Sequence, residues 1–346
     1  MTVSSTAFEG EQMGGGAASP AEPEQAKAIA GRTPTQLAAA RFRKDKLSMA
    51  SLIVVLLVIV AGLIAPFLVM FGVLEPNTQH NSGDDNLIDP SLGGIPLGSF
   101  GGISAEHWLG VEPGTGRDVL SRLWYGVTFS LAIALSASVL AVAVGTALGI
   151  IAGVAGGFVD AAIGRTIDLV LSFPSMLMLL ALSSMGVLFL SDTLHVPEGP
   201  DRSVVNGVYV VVVLALFGWP PIARLIRGQV LSLREREFVE AAKLIGASRW
   251  RLYFREILPN LWAPVLVVFT ITMPTYISAE AALNFLGVGI KPPTPTLGNM
   301  LSSSIDYAEA DFVFFFVPAF VIMIIVLSFN LLGDGLRDAL DPKGDR

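Results

Sequence analysis

Residues 47–73, LSMASLIVVLLVIVAGLIAPFLVMFGV, decide the class of fold, because they carry no charged side chain over a length that crosses a bilayer. A hydrocarbon layer of about 30 Å needs about 20 helical residues, since each residue rises about 1.5 Å. Five further apolar runs follow this one. The sequence therefore predicts an all-α polytopic membrane protein with six transmembrane helices, at residues 47–73, 128–154, 163–190, 204–222, 262–283 and 312–332.

The composition of the 346-residue chain argues against a soluble enzyme. Hydrophobic residues make up 53% of the chain and charged residues only 15%, whereas about a quarter of the residues of soluble domains are charged. No cysteine is present, which excludes disulfides and thiolate metal sites. The net charge of −7 argues against a nucleic-acid partner, whose phosphates would need a basic surface. The predicted partner is the lipid membrane.

The basic residues predict the orientation of the chain. Residues 1–36 form a tail rich in Gly, Ala, Pro, Ser, Glu and Gln, which we expect to be disordered. Eighteen of the 22 Lys and Arg residues lie at positions 27–46, near the C-terminus or in the connections on the same side of the membrane. Because Lys and Arg are retained inside the cell, both termini are predicted to be cytoplasmic.

Three features of the membrane region complete the predicted architecture. The outer connection 74–127 is acidic and rich in Gly and Pro, and its periodic part at residues 118–124 predicts a helix on the membrane surface. Residues 292–295, Pro-Pro-Thr-Pro, cannot form regular helix and are expected to fold over the outer mouth. Gly145, Gly149 and Gly153 leave one stripe of the second membrane helix without side chains, so another backbone can approach it closely.

The inner connection, residues 223–260, is too long and too patterned for a simple tether. Ser232 and Glu235 have the spacing of a capping box, which predicts the start of a helix. Gly246 would end that helix in a left-handed conformation, and Ser248 would cap a second one. The sequence thus predicts a cytoplasmic elbow made of two short helices.

The elbow resembles the signature of the membrane subunits of binding-protein-dependent ABC importers. That signature is Glu-Ala-Ala, three residues, Gly, nine residues, Ile, any residue, then Leu-Pro. Here Glu256 occupies the Ile position and the isoleucine follows at Ile257. In the family this elbow seats in a groove of the ATPase. The resemblance therefore implies an ATPase-coupling site composed of Glu240, Ala241, Ala242, Gly246, Ala247, Trp250, Leu258 and Pro259.

The resemblance covers nearly the whole chain after residue 36 and is closest to the C-type permease of the dipeptide, oligopeptide and nickel branch. It rests on residues 41–46 (RFRKDK), 107–110 (HWLG), 116–126 (GRDVLSRLWYG), 282–289 (ALNFLGVG) and 292–301 (PPTPTLGNML). It implies that residues 37–346 form an ABC-type permease domain in a bacterial cell membrane. It also implies a homologous second permease, one or two ABC ATPase subunits, an extracytoplasmic solute-binding protein and a di- or oligopeptide substrate.

No Gly-rich phosphate loop of the GxxxxGK[ST] form occurs in the sequence, so we expect no cofactor in this chain, and ATP and magnesium in the partner ATPases. The histidines have no metal-ligand spacing, and no clustered catalytic constellation points to an enzyme. A stand-alone secondary transporter or channel is the alternative class. It would predict paired intramembrane charges and inverted repeats, and neither is evident in the sequence.

Several polar residues leave two interpretations open. Glu280, together with Asn284 and Phe285, lines a pathway or gate, or else Glu280 merely reaches water at the outer interface. Arg117 and Asp118 position the outer helix or touch the binding protein. Asp168 is expected to pair with Arg165, three residues earlier on the same helix. Prolines within the membrane runs predict kinks, at Pro66, Pro174, Pro274 and Pro318.

Overall fold

The computed structural model describes residues 34–83, 86–195 and 202–340, and a two-stranded hairpin is the one sheet in these ranges. Residues 1–33 of the predicted disordered tail lie outside the described residues, and the last three tail residues already belong to a helix. The helices are α1 Pro34–Lys44, α2 Lys46–Met70, α3 Val119–Ala155, α4 Gly157–Leu171, α5 Ser175–Leu194, α6 Arg202–Arg234, α7 Glu237–Leu244, α8 Arg249–Arg251, α9 Trp262–Phe285, α10 Leu297–Ile305 and α11 Phe312–Leu340. Strands β1 Ile88–Asp89 and β2 Ile95–Pro96 pair antiparallel in the outer connection.

Six helices of the described ranges are long and apolar enough to cross a membrane, which confirms the predicted number. They are α2, α3, α5, α6, α9 and α11. Helices α1 and α11 meet where a Cβ at Gly335 would contact Ser48 of α2 and Phe42 of α1. The first span, α2, therefore begins at the same end of the bundle at which the last span, α11, finishes. An even number of spans requires this arrangement.

Three predicted boundaries are wrong. Residues 119–124 are not a separate surface helix but the first turns of α3, whose 37 residues extend over about 55 Å. The third predicted span is divided into α4 and α5 by Ser172–Pro174, because proline disfavours helical conformation in the residue before it. Helix α6 continues to Arg234, so the elbow begins near residue 235 rather than 223.

Another backbone approaches the glycine stripe of α3 closely, as predicted, and the structure shows that it belongs to α6. A Cβ at Gly149 would lie 2.8 Å from the carbonyl oxygen of Ala223, and one at Gly153 would lie 2.5 Å from Val230 Cγ1. Any side chain at these glycines would force the two helices apart. In the described bundle, this contact therefore fixes how closely α3 and α6 approach.

The inner end of the α4–α6 contact carries two ion pairs. Asp160 accepts hydrogen bonds of 2.5 and 2.7 Å from Arg227, and these hold the pKa of Asp160 below its usual value. Asp168 pairs with Arg224 of α6 at 2.5 Å. The predicted pairing of Asp168 with Arg165 is therefore wrong. The correction arises because α6 is longer than expected and brings its own arginines to this depth.

Pro66, Pro274 and Pro318 lie inside helices that continue through them. Of the four prolines singled out in the sequence, Pro174 alone follows a break in the helix. Three of these prolines are therefore accommodated within a helix, and the fourth stands at a boundary between two helices.

Candidate functional site

The turn of the elbow is a helix C-terminus closed by glycine. Gly246 has φ of +80°, in the left-handed region that favours glycine. Its N–H donates to the carbonyl oxygen of Lys243 at 3.0 Å, and the N–H of Ala247 donates to that of Ala242 at 3.0 Å. These two bonds form a Schellman motif, which satisfies the last carbonyls of α7. The predicted role of Gly246 as the turn residue agrees with this geometry.

The second arm of the elbow starts as predicted but continues differently. Ser248 caps it by accepting the N–H of Arg251 at 3.3 Å. The predicted cap at Ser232 is wrong, since Ser232 lies inside α6 and α7 begins at Glu237 without a side-chain cap. After α8 the chain forms a π-helix at Leu252–Ile257, followed by a 3-10 turn at Leu258–Asn260.

The π-helix explains the departure from the family signature at Glu256. Five residues make little more than one turn of a π-helix, so residues i and i+5 share a face. Leu252 and Ile257 are accordingly both buried. On another face Arg251 Nε lies 3.5 Å from Glu256 Oε1, also at i and i+5. The wider turn thus buries the isoleucine at 257 and leaves the glutamate at 256 paired with an arginine.

A small core joins the two arms of the elbow. Val239 and Ala242 of α7 pack on Leu252, and the partly buried Ala247 closes the cluster. Leu252 is buried inside the elbow itself and does not project from it. Ile257 and Leu261 continue into the main core of the bundle. The elbow therefore has its own fold and is anchored to the membrane helices.

Large apolar side chains project from the turn of the elbow. Leu244 is 89% exposed, Ile245 72% and Trp250 71%. We call these three residues the elbow tip. Of the predicted coupling residues, Glu240, Ala241 and Pro259 are exposed with the tip, whereas Ala242 is buried and Ala247 and Leu258 are half-buried. Because apolar side chains so exposed at an ordered turn favour contact with a partner, the tip is the strongest candidate interaction site.

A buried arginine holds the opposite end of the bundle together. Arg122 of α3 is 1% exposed, and its Nη1 donates to the carbonyl oxygens of Pro76 at 3.0 Å and Pro293 at 3.2 Å. Its Nε lies 3.3 Å from Glu112 Oε2, and Arg117 Nη1 lies 3.8 Å from the same oxygen. One side chain therefore ties α3 to the outer connection and to the predicted proline-rich segment, which is non-helical as expected.

Arg117 and Asp118 both help to position this end of the bundle. Asp118 caps α3 by accepting the N–H of Ser121 at 2.7 Å, and its other oxygen lies 2.9 Å from His107 Nδ1. Arg117 is buried beside Glu112. These contacts favour the positioning role, while contact of either residue with a binding protein stays a prediction. Among the described residues no group of three His, Asp or Glu side chains could hold a metal ion.

Glu280 does not reach water in this structure. It is 1% exposed, accepts a hydrogen bond of 3.0 Å from Ser130 Oγ of α3, and also accepts one from the amide of Asn284. Ser130 Oγ in turn accepts the N–H of Leu297, the first residue of α10, at 3.1 Å. Asn284 is buried together with Glu280, whereas Phe285 is about half exposed. The glutamate thus joins α3, α9 and α10, and a role in a pathway or gate stays a prediction.

A six-span helical bundle with an ordered apolar elbow at one end defines a multi-pass membrane protein with a candidate interaction site. Comparison with known families identifies the class of membrane protein. Residues 145–345 match the family described as binding-protein-dependent transport system inner membrane component, and residues 33–90 match the N-terminal TM domain of oligopeptide transport permease C. The chain belongs to this family and is a multi-pass permease subunit of an ABC importer of the inner membrane.

Two relatives with more than 30% identity agree with this assignment. The dipeptide transport system permease protein DppC of Alkalihalophilus pseudofirmus is 36% identical over 311 residues, which cover 90% of each chain. The glutathione transport system permease protein GsiD of Escherichia coli is 38% identical over 314 residues, covering 90% of this chain and 91% of that one. The MetNI methionine ABC transporter in an inward-facing conformation superposes with a TM-score of 0.49 at 18% identity, covering 64% of this chain and 96% of that chain.

Sequence reasoning missed the importance of Arg122, Glu112 and Leu244. The importance of Arg122 could have been predicted from the sequence. Arg122 lies at the start of an apolar run, where an arginine needs polar partners. Leu244 offered no such signal, because its exposure depends on how α7 packs on the second arm. The residues exposed at the elbow tip are therefore less visible in the sequence than those that form the turn.

Proposed function

We propose that this permease imports short peptides, with the elbow tip seated on a cytoplasmic ATPase and a solute-binding protein delivering substrate at the opposite end. The observation that carries the proposal is the elbow. Its signature residues form an ordered turn, and that turn projects Leu244, Ile245 and Trp250 outward. Such a projection suits insertion into a groove on another protein.

The substrate class rests on the relatives. One is named for dipeptide transport and the other for glutathione transport, and glutathione is itself a short peptide. Both alignments cover about nine-tenths of this chain. We therefore propose a peptide of two or three residues as the substrate.

The assembly follows from the family. The permease pairs with a homologous second permease, and one or two ABC ATPase subunits bind ATP and magnesium and supply the energy. Both termini lie in the cytoplasm, an orientation supported by the concentration of 18 of the 22 basic residues on that side. This orientation places the elbow where a cytoplasmic ATPase can reach it.

Transport in a defined system tests the function. The permease pair, ATPases and binding protein would be reconstituted in proteoliposomes, and ATP-dependent uptake of labelled L-alanyl-L-alanine and of glutathione would be measured. We expect uptake of at least one of them, abolished when the binding protein is omitted. Uptake of neither, by a complex whose ATPase responds to the binding protein, would overturn the peptide assignment.

The coupling role needs a separate variant. Leu244→Ser combined with Trp250→Ala should leave the permease folded, because both side chains are already exposed, but should lower ATPase retention in a pull-down by about tenfold or more. Phe158→Ser is the matched control, since Phe158 is 88% exposed but lies in α4, outside the elbow. Equal retention by the tip variant and the control would refute the coupling assignment.

A further inference from the structure

A cavity of about 660 Å³ lies between α5, α6 and the segment that joins α9 to α10. We call it the outer vestibule. Ser183, Ser184, Val187 and Leu188 line it from one face of α5, so it extends for more than a helical turn along that helix. The segment after α9 contributes Gly287, Gly289 and Lys291. The volume is within the range of about 300–1,000 Å³ found for small-ligand sites.

Three polar side chains of the vestibule lack a partner among the described residues, whereas Ser183 donates its hydroxyl to the carbonyl oxygen of Leu180 at 2.8 Å. Asn206 of α6 is 8% exposed and lines the cavity, yet its side chain forms no hydrogen bond with any described residue. Its amide group borders the cavity, where a ligand or water can supply the partner that the protein does not. Ser184 and Ser203 also line the cavity without a side-chain hydrogen bond to the described part of the chain. The cavity therefore offers several unused donors to whatever enters it.

The charge of the vestibule is positive. Lys291 contributes an ammonium group, and no Asp or Glu belongs to the described lining. Lys291 forms no ion pair within the described ranges. Ser203 lies in the first turn of α6, where the free N–H groups of a helix N-terminus favour negative charge, and Asn206 follows in the next turn. The vestibule therefore favours an anion with several acceptor oxygens. Such an anion could bind the ammonium group, the amide, the serine hydroxyls and the N-terminus of α6.

We propose that the outer vestibule binds the C-terminal carboxylate of the peptide in transit, with Lys291 and Asn206 as its principal donors. This inference rests on the proposed function, because a peptide presents such a carboxylate. Lys291 is exposed whereas Asn206 is buried, so the carboxylate would meet the lysine first and the amide deeper in the cavity. The exposure of Lys291 keeps the interaction weak, which allows the substrate to leave again.

Binding measured without the solute-binding protein tests the site itself. The complete membrane complex would be placed in nanodiscs, and saturation-transfer NMR would report binding of L-alanyl-L-alanine and of its C-terminal amide, with empty nanodiscs as the blank. In the wild type the free acid should bind about tenfold more tightly than the amide, as expected for charge-assisted hydrogen bonds. Lys291→Gln should lower the affinity for the acid to that for the amide, and Lys291→Arg should preserve the preference.

A serine pair on α5 provides the matched control. Ser184→Ala removes a hydroxyl from the vestibule and should weaken binding of the acid. Ser191→Ala removes a hydroxyl that donates to Leu188 at 2.9 Å and lies outside the lining, so it should have no effect. The proposal is overturned if the wild type binds neither probe, if it binds both equally, or if Lys291→Gln keeps the preference for the acid.

Two further readouts separate this inference from its alternatives. If Lys291→Gln weakens attachment of the binding protein but leaves the acid-over-amide preference intact, the lysine is a docking contact and the vestibule proposal is wrong. Uptake by the wild type is measured in parallel. If the wild type takes up dipeptide but shows no preference for the free acid, only the proposal that the vestibule binds the carboxylate is refuted. If the wild type takes up no peptide, the proposed function is refuted.

Discussion

At the scale of the residue, backbone conformation at one glycine decides the shape of the elbow. Gly246 and Gly228 are both exposed, and a Cβ added to either would meet no atom within 4 Å. They differ in conformation, since Gly246 has φ of +80° and Gly228 lies within helix α6. A substitution at Gly246 therefore acts through backbone strain alone.

Gly246→Ala is expected to destabilise the elbow by about 1–2 kcal/mol, because a left-handed conformation is costly for any residue with a Cβ. Gly228→Ala is the matched control and should be neutral or favourable by up to about 1 kcal/mol, since alanine favours helix. ATPase retention in a pull-down should fall for Gly246→Ala and further for Gly246→Val. Normal retention in both Gly246 variants would contradict the assigned turn.

Arg122 is the residue on which the outer end of the bundle depends. Arg122→Leu leaves the buried Glu112 with one charged partner, Arg117 at 3.8 Å, beside its hydrogen bond from Thr115, and should cost about 3–5 kcal/mol. Thermal unfolding of the purified permease, followed by scanning fluorimetry, would measure the loss. Arg165→Leu is the control, because Arg165 is exposed and has no ion-pair partner among the described residues. Equal melting temperatures for the two variants would rule out this role.

At the scale of the element, the start of α11 is joined to the outer connection through Asp311. Its Oδ1 accepts the N–H of Phe314 at 3.1 Å, while its Oδ2 is buried without a partner. A Cβ at Gly101 would lie 2.6 Å from that oxygen, so the outer connection covers the carboxylate directly. This burial raises the pKa of Asp311 above its ordinary value.

A raised pKa means that the folded protein favours the protonated form of Asp311. Its contribution to stability is therefore full below the ordinary pKa of about 3.9 and is lost as pH rises through the raised value. Asp311→Asn keeps a neutral acceptor for Phe314, so it should raise the melting temperature at pH 7 and have less effect near pH 4. Asp89→Asn should behave oppositely, because hydrogen bonds from Ser91 lower the pKa of Asp89. A destabilised Asp311→Asn protein at pH 7 would show that the charge is favourable there.

At the scale of the whole molecule, the orientation in the membrane is open to a direct test. Ser82 in the outer connection and Ser232 near the inner end of α6 are both exposed, and the chain has no cysteine of its own. In intact cells a membrane-impermeant thiol reagent should label Ser82→Cys but not Ser232→Cys. Both variants should react after the membrane is permeabilised. Labelling of Ser232→Cys from outside would reverse the proposed topology and remove the elbow from the ATPase.

The sequence by itself determined the number of spans, the elbow and its turn. Each depends on neighbours along the chain: an apolar run long enough for a bilayer, a glycine free to adopt positive φ, and a serine placed to cap the next helix. The signature spacing from Glu240 to Pro259 is likewise local. The family could therefore be inferred before any contact was known.

Only the tertiary structure decided which polar groups meet. Arg122 contacts Pro293, 171 positions away, and Glu280 contacts Ser130, 150 positions away. The break before Pro174, the choice of Arg224 as partner of Asp168 and the unpaired donors of the outer vestibule depend in the same way on neighbouring helices. Polar groups in a bilayer must find partners inside the protein, and a sequence pattern does not specify which distant residue supplies them.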